Sequence, residues 1–331
     1  MTTNEIEAAL VLITRLKEKG VEIWIDQQSI RYRSKIGALD EADRAQIKLN
    51  SRGLRLLLTA TGNGPCSSGN KPVLLLDGAF PPLFCIHSVS GAATLYHRLN
   101  LHKATNSPPA VYGVNARGRD LSTPPHSTIE EMAESYIKEI KVIQPTGPYR
   151  LCGYSMGGMI AFEMAARLLR EGEQTNFLGL IDTRFNEQIE FDKFDFWVTF
   201  ANIYVGTVAP DFHSVLAATD GQSKGTIARL LYQQYQAASP IGLGHQKSFD
   251  AFEKELAFYE SLYNASMTYV PPKAELDVTY FGFEGGDNAR RWATRTRKVH
   301  LITIQGDHLG LFQSDATATQ VGKELLRVLD S

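Results

Sequence analysis

Short apolar runs alternate with amphipathic stretches over most of this chain. Apolar runs of strand length occur at residues 82–87, 110–114, 149–153, 177–182, 276–283 and 299–305. They are almost continuously apolar, as the buried strands of parallel sheets are. Helical periodicity separates some of them, at about 127–143 and 158–171. The alternation predicts an α/β fold in which helices cover both faces of a mostly parallel sheet.

The first 58 residues follow another pattern. Apolar positions at helical spacing predict a helix over 4–20, which Gly20 ends. The runs "VEIWI" and "SIRYRSKIG" predict two strands joined by a polar turn, and two more helices are predicted at about 40–48 and 51–58. A unit of this size buries a modest share of its surface, which favours dimerisation or a covering partner.

Two segments interrupt these patterns. Residues 59–72 are rich in Gly, Ser, Asn and Pro and lack periodicity, so we predict a flexible linker between a small domain at 1–58 and a larger one at 73–331. Residues 184–270 contain half of the chain's aromatic residues at helical spacing. Because so apolar an insertion must pack on the sheet domain, we predict a helical lid over a hydrophobic channel. An extra helical layer without a gating role is the alternative.

Composition narrows the class of protein. With 331 residues, 43% of them apolar and 21% charged, the chain is typical of a soluble globular protein with a sizeable core. A formal charge of -2 argues against a nucleic-acid or membrane partner. The N-terminus lacks a signal-peptide pattern and no apolar run reaches membrane-spanning length, so we expect a cytoplasmic protein. The irregular spacing of Cys66, Cys85 and Cys152 predicts neither a disulfide framework nor a metal site.

The candidate chemistry lies in "LCGYSMGGMIAFEMAARLL", residues 151–169. Ser155 stands where a predicted strand turns into a predicted helix, and Gly153, Gly157 and Gly158 surround it. A nucleophile at such a turn has a strained backbone, and glycines remove the collisions that side chains would make across it. The GxSxG letters alone also arise by chance, and a flexible turn of no consequence is the other interpretation. The strand-turn-helix context favours Ser155 as a nucleophile.

A serine nucleophile needs a base and an orienting acid, and in this arrangement the chain order is Ser, acid, His. We predict His308, which follows the last strand, as the base; its main rival, His87, precedes the serine. Asp182 ends the strand after the nucleophile helix, and Asp287 follows the next-to-last strand, the commoner acid position in hydrolases of this architecture. Asp307 adjoins His308, but adjacent residues rarely direct their side chains at each other. Position alone leaves Asp182 and Asp287 equal.

The tetrahedral intermediate of acyl transfer requires two N–H donors aimed at its oxygen. We predict one to be the backbone N–H of Met156, the residue after the nucleophile. The other is predicted in the loop at 88–91, with Val89 as the first choice and Ser88 as the second. An ordinary strand-to-helix turn is the alternative for this loop.

The segments "PLFCIHSVSG", "VYGVNARG", "GPYRLCGYSMGGMIAFEMA", "LIDT" and "GDHLGLF", in this order, resemble the thioesterase domains that end or edit nonribosomal peptide and polyketide assembly lines. The resemblance covers roughly residues 70–331 and implies an α/β-hydrolase fold with a helical lid insertion. It also implies that the acid follows the strand after the nucleophile helix, which favours Asp182. Ser88 is a departure, since the family often has proline after the histidine.

The segment "LKEKGVEIWIDQQSIRYRSKIGAL" resembles the small α/β N-terminal docking domains of the tubulysin-synthetase type. The resemblance implies a dimeric domain that captures the acidic C-terminal tail of an upstream synthetase as an added strand. Arg31, Arg33 and Lys35 recur at every second residue, so on a strand all three project from one side. A cationic row beside an open edge suits the addition of an acidic peptide. Solvated charges that protect an edge strand are the alternative.

The resulting hypothesis is acyl transfer. The docking segment recruits a carrier protein, whose 4'-phosphopantetheine arm delivers a peptidyl or polyketide thioester to Ser155, and the chain itself binds no cofactor. Water, or a nucleophile within the acyl chain, then releases the product. An editing (type II) thioesterase that clears misloaded carriers, a general carboxylester hydrolase and a non-enzymatic adaptor with a degenerate hydrolase fold are the alternatives.

Overall fold

The computed structural model describes residues 9, 12–13, 15–16, 19–26, 29–34, 38–60, 71–185, 193–204, 223–238, 248–312 and 314–330. The chain divides into two compact units: residues 1–69 with 197–256 form one, and residues 70–196 with 257–331 form the other. The predicted lid is thus shared between the two units, and the predicted domain boundaries stay a prediction. In the described part of the chain, no helix has the length and apolarity needed to cross a bilayer.

The N-terminal part of the first unit is a strand hairpin packed with helices. Strands β1 (Glu22–Asp26) and β2 (Ser29–Arg33) are antiparallel. Helices α1 (Glu41–Leu49) and α2 (Ser51–Ala60) follow, close to their predicted positions. The described residues between 9 and 16 are also helical. Apolar side chains from the helices, from β1 and from adjoining residues form one core, against which Ile30 of β2 packs. This core consists of Ala9, Leu12, Ile13, Leu16, Val21, Ile23, Leu39, Ile47, Leu54 and Leu58.

Strand β2 is shorter than the predicted strand at 29–37. It ends at Arg33, which pairs with Glu22, the first residue of β1. The preceding residue, Val21, donates its N–H to a carbonyl at the end of the first helix (2.9 Å), so it is not available to extend the ladder. Lys35 of the predicted cationic row lies outside the described residues.

The second unit is built on a seven-stranded sheet with the order β3-β5-β4-β6-β7-β8-β9. Its strands are β3 (Val73–Leu76), β4 (Ala79–Ile86), β5 (Pro109–Val114), β6 (Tyr149–Tyr154), β7 (Thr175–Ile181), β8 (Asp277–Phe283) and β9 (Lys298–Ile304). All neighbours are parallel except β3, which pairs antiparallel with β5 at the edge. The predicted strands are all present. Only β3 was not predicted, because an apolar run of four residues carries no distinguishing period.

Helices pack on this sheet in layers. They are α3 (Leu101–Ala104), α4 (Ile129–Ile143), α5 (Met156–Arg170), α9 (Asn288–Trp292) and α10 (Asp315–Leu329). Helix α5 packs along β6 and β7 and against α4. Helix α10 packs on α3 and on a 3₁₀ turn at Thr94–Leu99, and its Leu325 joins the same apolar cluster as Cys152 of β6. The central position of α5 matters because its first turn follows the candidate nucleophile.

A helical insertion separates β7 from β8, as predicted. Its described helices are α6 (Lys193–Tyr204), α7 (Lys224–Ala238) and α8 (Phe249–Thr268). Within the first unit, aromatic contacts connect the three: the ring of Phe252 lies 5.5 Å from that of Phe200 and 5.5 Å from that of Tyr232. The gating role of this insertion stays a prediction.

Candidate active site

Ser155 occupies a tight turn between β6 and α5. Its backbone angles are φ 56° and ψ −126°, a region that L-residues rarely adopt. The neighbouring glycines lie where no side chain fits: a Cβ on Gly153 would be 2.0 Å from the Gly157 carbonyl oxygen, and one on Gly157 would be 2.4 Å from the Ile86 carbonyl oxygen. The glycines therefore allow α5 to approach the strand ends closely. This approach exposes Ser155 at the carboxyl ends of the parallel strands.

The structure brings Ser155, His308 and Asp182 together. The Nε2 atom of His308 lies 3.1 Å from Ser155 Oγ, and its Nδ1 atom lies 2.5 Å from Asp182 Oδ2. Because a carboxylate only accepts, Nδ1 carries the proton and Nε2 is left to accept from the serine hydroxyl. This is the hydrogen-bond sequence of an activated serine nucleophile.

Backbone hydrogen bonds hold the two strand ends that carry the serine and the acid. The Ser155 N–H donates to the Ile181 carbonyl (2.9 Å), and the Asp182 N–H donates to the Phe281 carbonyl (2.7 Å). Asp182 has a positive φ of 38°, so its chain turns sharply at the end of β7. The acid is thus placed at the edge of the sheet beside the nucleophile, where the loop after β9 brings His308.

The other candidate acids lie elsewhere. Asp287 is exposed and its carboxylate lies 3.1 Å from Arg291 Nε and 3.6 Å from Arg290 Nη1 on α9. Asp307 accepts the Gly310 N–H (2.8 Å) within its own turn. Of the two acids that position alone left equal, Asp182 is the one that contacts His308, and its role as the catalytic acid stays a prediction.

His87, the rival base, has a different environment. It is fully buried, with Nδ1 2.7 Å from the Ser88 carbonyl oxygen and Nε2 2.7 Å from the Tyr136 hydroxyl. Nδ1 therefore donates to Ser88, and the tyrosine hydroxyl donates to Nε2. Burial lowers the pKa of His87 to about 4, so the ring is neutral at physiological pH. His87 supports the loop after β4.

That loop contains the predicted oxyanion donor Val89. The Ser88 carbonyl, held by His87, also accepts the Gly91 N–H (2.9 Å), which fixes the peptide plane that contains the Val89 N–H. Met156 begins α5 directly after Ser155. Strands β4 and β6 are neighbours, so both predicted N–H donors stand at the same end of the sheet. Their role as the oxyanion pair stays a prediction.

Sequence reasoning did not single out two tyrosines. Tyr96 donates its hydroxyl proton to the Ile86 carbonyl (2.7 Å) and accepts the Tyr154 N–H (2.7 Å), and so it joins the ends of β4 and β6. Tyr154 stacks on the His308 ring. Its position next to Ser155 in the motif was a signal that could have marked Tyr154 as a site residue. No signal marked Tyr96, since its contact spans 58 residues.

The predicted partner-binding residues belong to the first unit. Arg31 and Arg33 alternate along β2, opposite Trp24 and Glu22, and the Arg31 side chain is exposed. In the described ranges, no group of three or more His, Cys, Asp or Glu side chains is arranged to hold a metal ion.

Comparison with known proteins gives a family match over part of the chain. Residues 81–193 match the family model for the thioesterase domain. Malpinin synthetase from Mortierella alpina is 42% identical over 107 residues, which are 32% of this chain and 1% of that protein. The dimodular nonribosomal peptide synthase of Bacillus subtilis is 38% identical over 109 residues, which are 33% of this chain and 4% of that protein. The chain thus spans a small fraction of these relatives.

Solved structures share the fold. The Vlm2 thioesterase domain with a bound dodecadepsipeptide has a TM-score of 0.58 at 20% identity, covering 78% of this chain and 96% of that one. The four-domain nonribosomal peptide synthetase AB3403 has a TM-score of 0.63 at 20% identity, covering 77% of this chain and 20% of that one. The sheet and its helical insertion therefore have the α/β-hydrolase fold of these structures, and residues 81–193 are similar to thioesterase domains.

Proposed function

We propose that this protein is a thioesterase that releases a peptidyl or polyketide chain from a carrier-bound thioester through an acyl-serine intermediate. The observation that carries the proposal is the continuous contact Ser155–His308–Asp182 at a strained strand-to-helix turn. The family match over residues 81–193 supports thioester chemistry over other serine hydrolase chemistries.

The mechanism follows from the proton positions. His308 Nε2 takes the Ser155 proton as Oγ bonds to the thioester carbonyl carbon, and Asp182 stabilises the imidazolium. The N–H groups of Met156 and Val89 stabilise the oxyanion. Collapse breaks the C–S bond, and His308 gives its proton to the departing thiolate of the 4'-phosphopantetheine arm. Water or a nucleophile of the acyl chain then attacks the acyl-serine, and its proton returns to Ser155 through His308.

The N-terminal segment supports recruitment in trans. Among the described residues, β2 pairs with β1 alone, so its other edge is able to accept an added strand. Arg31 and Arg33 are alternate residues of β2, and a cationic row of this kind favours an acidic peptide. The proposed partner is the acidic C-terminal tail of an upstream synthetase that also presents the loaded carrier protein.

Intact-mass spectrometry tests the chemistry. The protein is incubated with a small-thiol thioester of a peptidyl chain, and the expected result is a transient mass gain equal to the acyl group. Ser155→Ala is expected to show no gain, while the control Ser107→Ala, an exposed loop serine, behaves as wild type. Equal acylation of Ser155→Ala and wild type, or no acylation of wild type by any chain tested, would refute the proposal.

A charge-reversal pair tests recruitment. The double variant Arg31→Glu/Arg33→Glu is expected to lose turnover of a carrier whose partner carries an acidic tail, with a loss that diminishes at high salt. Turnover of the small-thiol thioester is expected to stay unchanged. The control Lys48→Glu/Arg52→Glu changes the net charge equally on exposed helical positions of α1 and α2. Equal effects of the two double variants would contradict docking through β2.

The same assays separate the alternatives. A general carboxylester hydrolase would turn over simple esters as fast as carrier-bound chains and would be indifferent to both charge reversals. An editing thioesterase would clear short acyl groups from many carriers and leave the partner's full-length chain in place.

A further inference from the structure

Tyr154, the residue before Ser155, contacts two positions of the loop that carries His308, namely His308 and Phe312. Its ring stacks on the His308 imidazole, with centroids 5.0 Å apart and planes 29° apart. Its hydroxyl donates to the His308 backbone carbonyl. Farther along the loop, the ring of Phe312 meets the Tyr154 ring edge-on at 5.0 Å. Tyr154 thus links the nucleophile turn directly to the candidate base.

Tyr154 is itself firmly held. Its N–H donates to the Tyr96 hydroxyl (2.7 Å), which donates to the Ile86 carbonyl at the end of the neighbouring strand (2.7 Å). The Phe312 ring also packs on Tyr96, at 5.7 Å. Burial raises the pKa of Tyr154 well above its usual range, so its hydroxyl keeps the proton that it donates. The Tyr154 ring is therefore held in place beside the imidazole, and its hydroxyl remains a hydrogen-bond donor.

We propose that Tyr154 is a positioning residue for the catalytic base. Its hydroxyl fixes the main chain at His308, and its ring face holds the imidazole in line with Ser155 and stabilises the protonated ring. This inference rests on the proposed function, because it assigns His308 the role of base.

The physical reason lies in the charge that His308 acquires during catalysis. An aromatic face attracts a cation, and the attraction grows where water is excluded. Among the described residues, the charged groups that act on Tyr154 are Asp182, which also contacts His308 Nδ1, and Asp307 and Arg184, which act on Tyr154 with opposite signs. A substitution at position 154 leaves these three in the chain. Loss of the aromatic face therefore disfavours the protonated ring, and the acid limb of the pH–rate profile is expected to move to lower pH.

Two substitutions separate the hydroxyl from the ring. Tyr154→Phe keeps the stacking and removes the bond to the His308 carbonyl. Tyr154→Leu removes both. The measurement is the second-order rate of Ser155 labelling by a fluorophosphonate between pH 5 and 9, with the melting temperature of each variant. We expect labelling to slow about fivefold in Tyr154→Phe with an unchanged acid limb, as loss of one hydrogen bond predicts. In Tyr154→Leu we expect it to slow about 30-fold, with the acid limb lower by about half a pH unit.

Tyr149→Phe is the matched control. Tyr149 is fully buried on the same strand, and its hydroxyl donates to the carbonyls of Gln144 and Pro145 (3.2 Å each) at the opposite end of the sheet. The Tyr149→Phe variant is expected to have a lower melting temperature, as Tyr154→Phe does, and an unchanged labelling rate. Equal slowing by the two tyrosine-to-phenylalanine variants, or a Tyr154→Leu that labels as wild type at every pH, would overturn the inference. The volume-conserving Tyr154→Phe keeps the test decisive if the leucine variant does not fold.

Labelling needs no thioester, so this test is independent of the substrate. A wild-type protein that labels at Ser155 but leaves carrier-bound chains intact would refute the proposed function alone, and the Tyr154 comparison would still be decided. A wild-type protein that does not label at any pH would refute both.

Discussion

Gly158 on α5 and Thr183 after β7 lie so close together that a Cβ on Gly158 would be 1.9 Å from Thr183 Oγ1. Thr183 is fully buried, and its carbonyl accepts hydrogen bonds from the Tyr280 hydroxyl and the Trp292 indole (3.0 Å each). It directly follows Asp182. The approach of helix to strand at this point therefore also sets the separation of the nucleophile and the acid.

Gly158→Ala is expected to destabilise the protein by about 3 kcal/mol, because the new methyl group overlaps a side chain that has no room to move. Serine labelling is expected to slow as well, since α5 must shift relative to Asp182. Urea unfolding and fluorophosphonate labelling measure the two effects. Gly225→Ala on α7 is the control: the nearest atom to its Cβ would be Ser223 Oγ at 3.9 Å, and we expect a change of less than about 1 kcal/mol. Similar losses in both variants would contradict this account.

Ser155→Gly is expected to be more stable than Ser155→Ala. The backbone at this position has a φ of 56°, which costs an L-residue about 1–3 kcal/mol and glycine very little. Both variants lose the nucleophile, so a difference between them reports backbone strain. In urea unfolding, we expect the free energy of unfolding of the glycine variant to be about 1 kcal/mol larger than that of the alanine variant. This difference already allows for the larger entropy that glycine loses on folding. An alanine variant of equal or greater stability would show that the turn is relaxed.

Asp182→Asn is expected to lower kcat about 10³–10⁴-fold, because an amide at Nδ1 favours the wrong tautomer of His308. The substitution is nearly isosteric, so the melting temperature should change little. Asp287→Asn is the matched comparison and is expected to keep wild-type turnover, since its contacts are surface ion pairs with Arg290 and Arg291. A larger loss from Asp287→Asn than from Asp182→Asn would reverse the assignment of the acid.

His87 is expected to make stability depend on pH below neutrality. Burial lowers its pKa in the folded protein from 6.5 to about 4, so between these values the unfolded chain binds a proton that the folded one does not. Stability from the neutral ring is complete above about pH 6.5 and is lost as the pH falls, by about 3 kcal/mol on reaching pH 4. His87→Gln should have lower stability at pH 7 and a shallower decline towards pH 4, measured by urea unfolding. His97, whose pKa is lowered to about 4 by burial as well, contributes equally to both proteins. A decline of equal slope in the variant would exclude His87 as its source.

Elements with a long or strongly apolar pattern were predictable. The parallel strands and helices α4 and α5 appear within a few residues of their predicted bounds, because burial on both faces of the sheet imposes a continuous apolar run. The serine was also predictable, since the turn that exposes it requires glycines within a five-residue window. Strand β3 and the early end of β2 were not, because short segments take their structure from the strand beside them.

The candidate site also has features that the sequence predicts and features that depend on tertiary structure. Sequence alone determined that a strained serine would stand between a buried strand and a helix, and that a later histidine and acid would be needed. Only the tertiary structure shows that Asp182 and not Asp287 contacts His308, that His87 bonds to the loop after β4, and that Tyr154 stacks on His308. The reason is that these contacts join residues as far as 154 positions apart, and their distances depend on how the sheet orders its strands. Local periodicity records which face of an element is buried, but it holds no information on which distant side chain will meet it there.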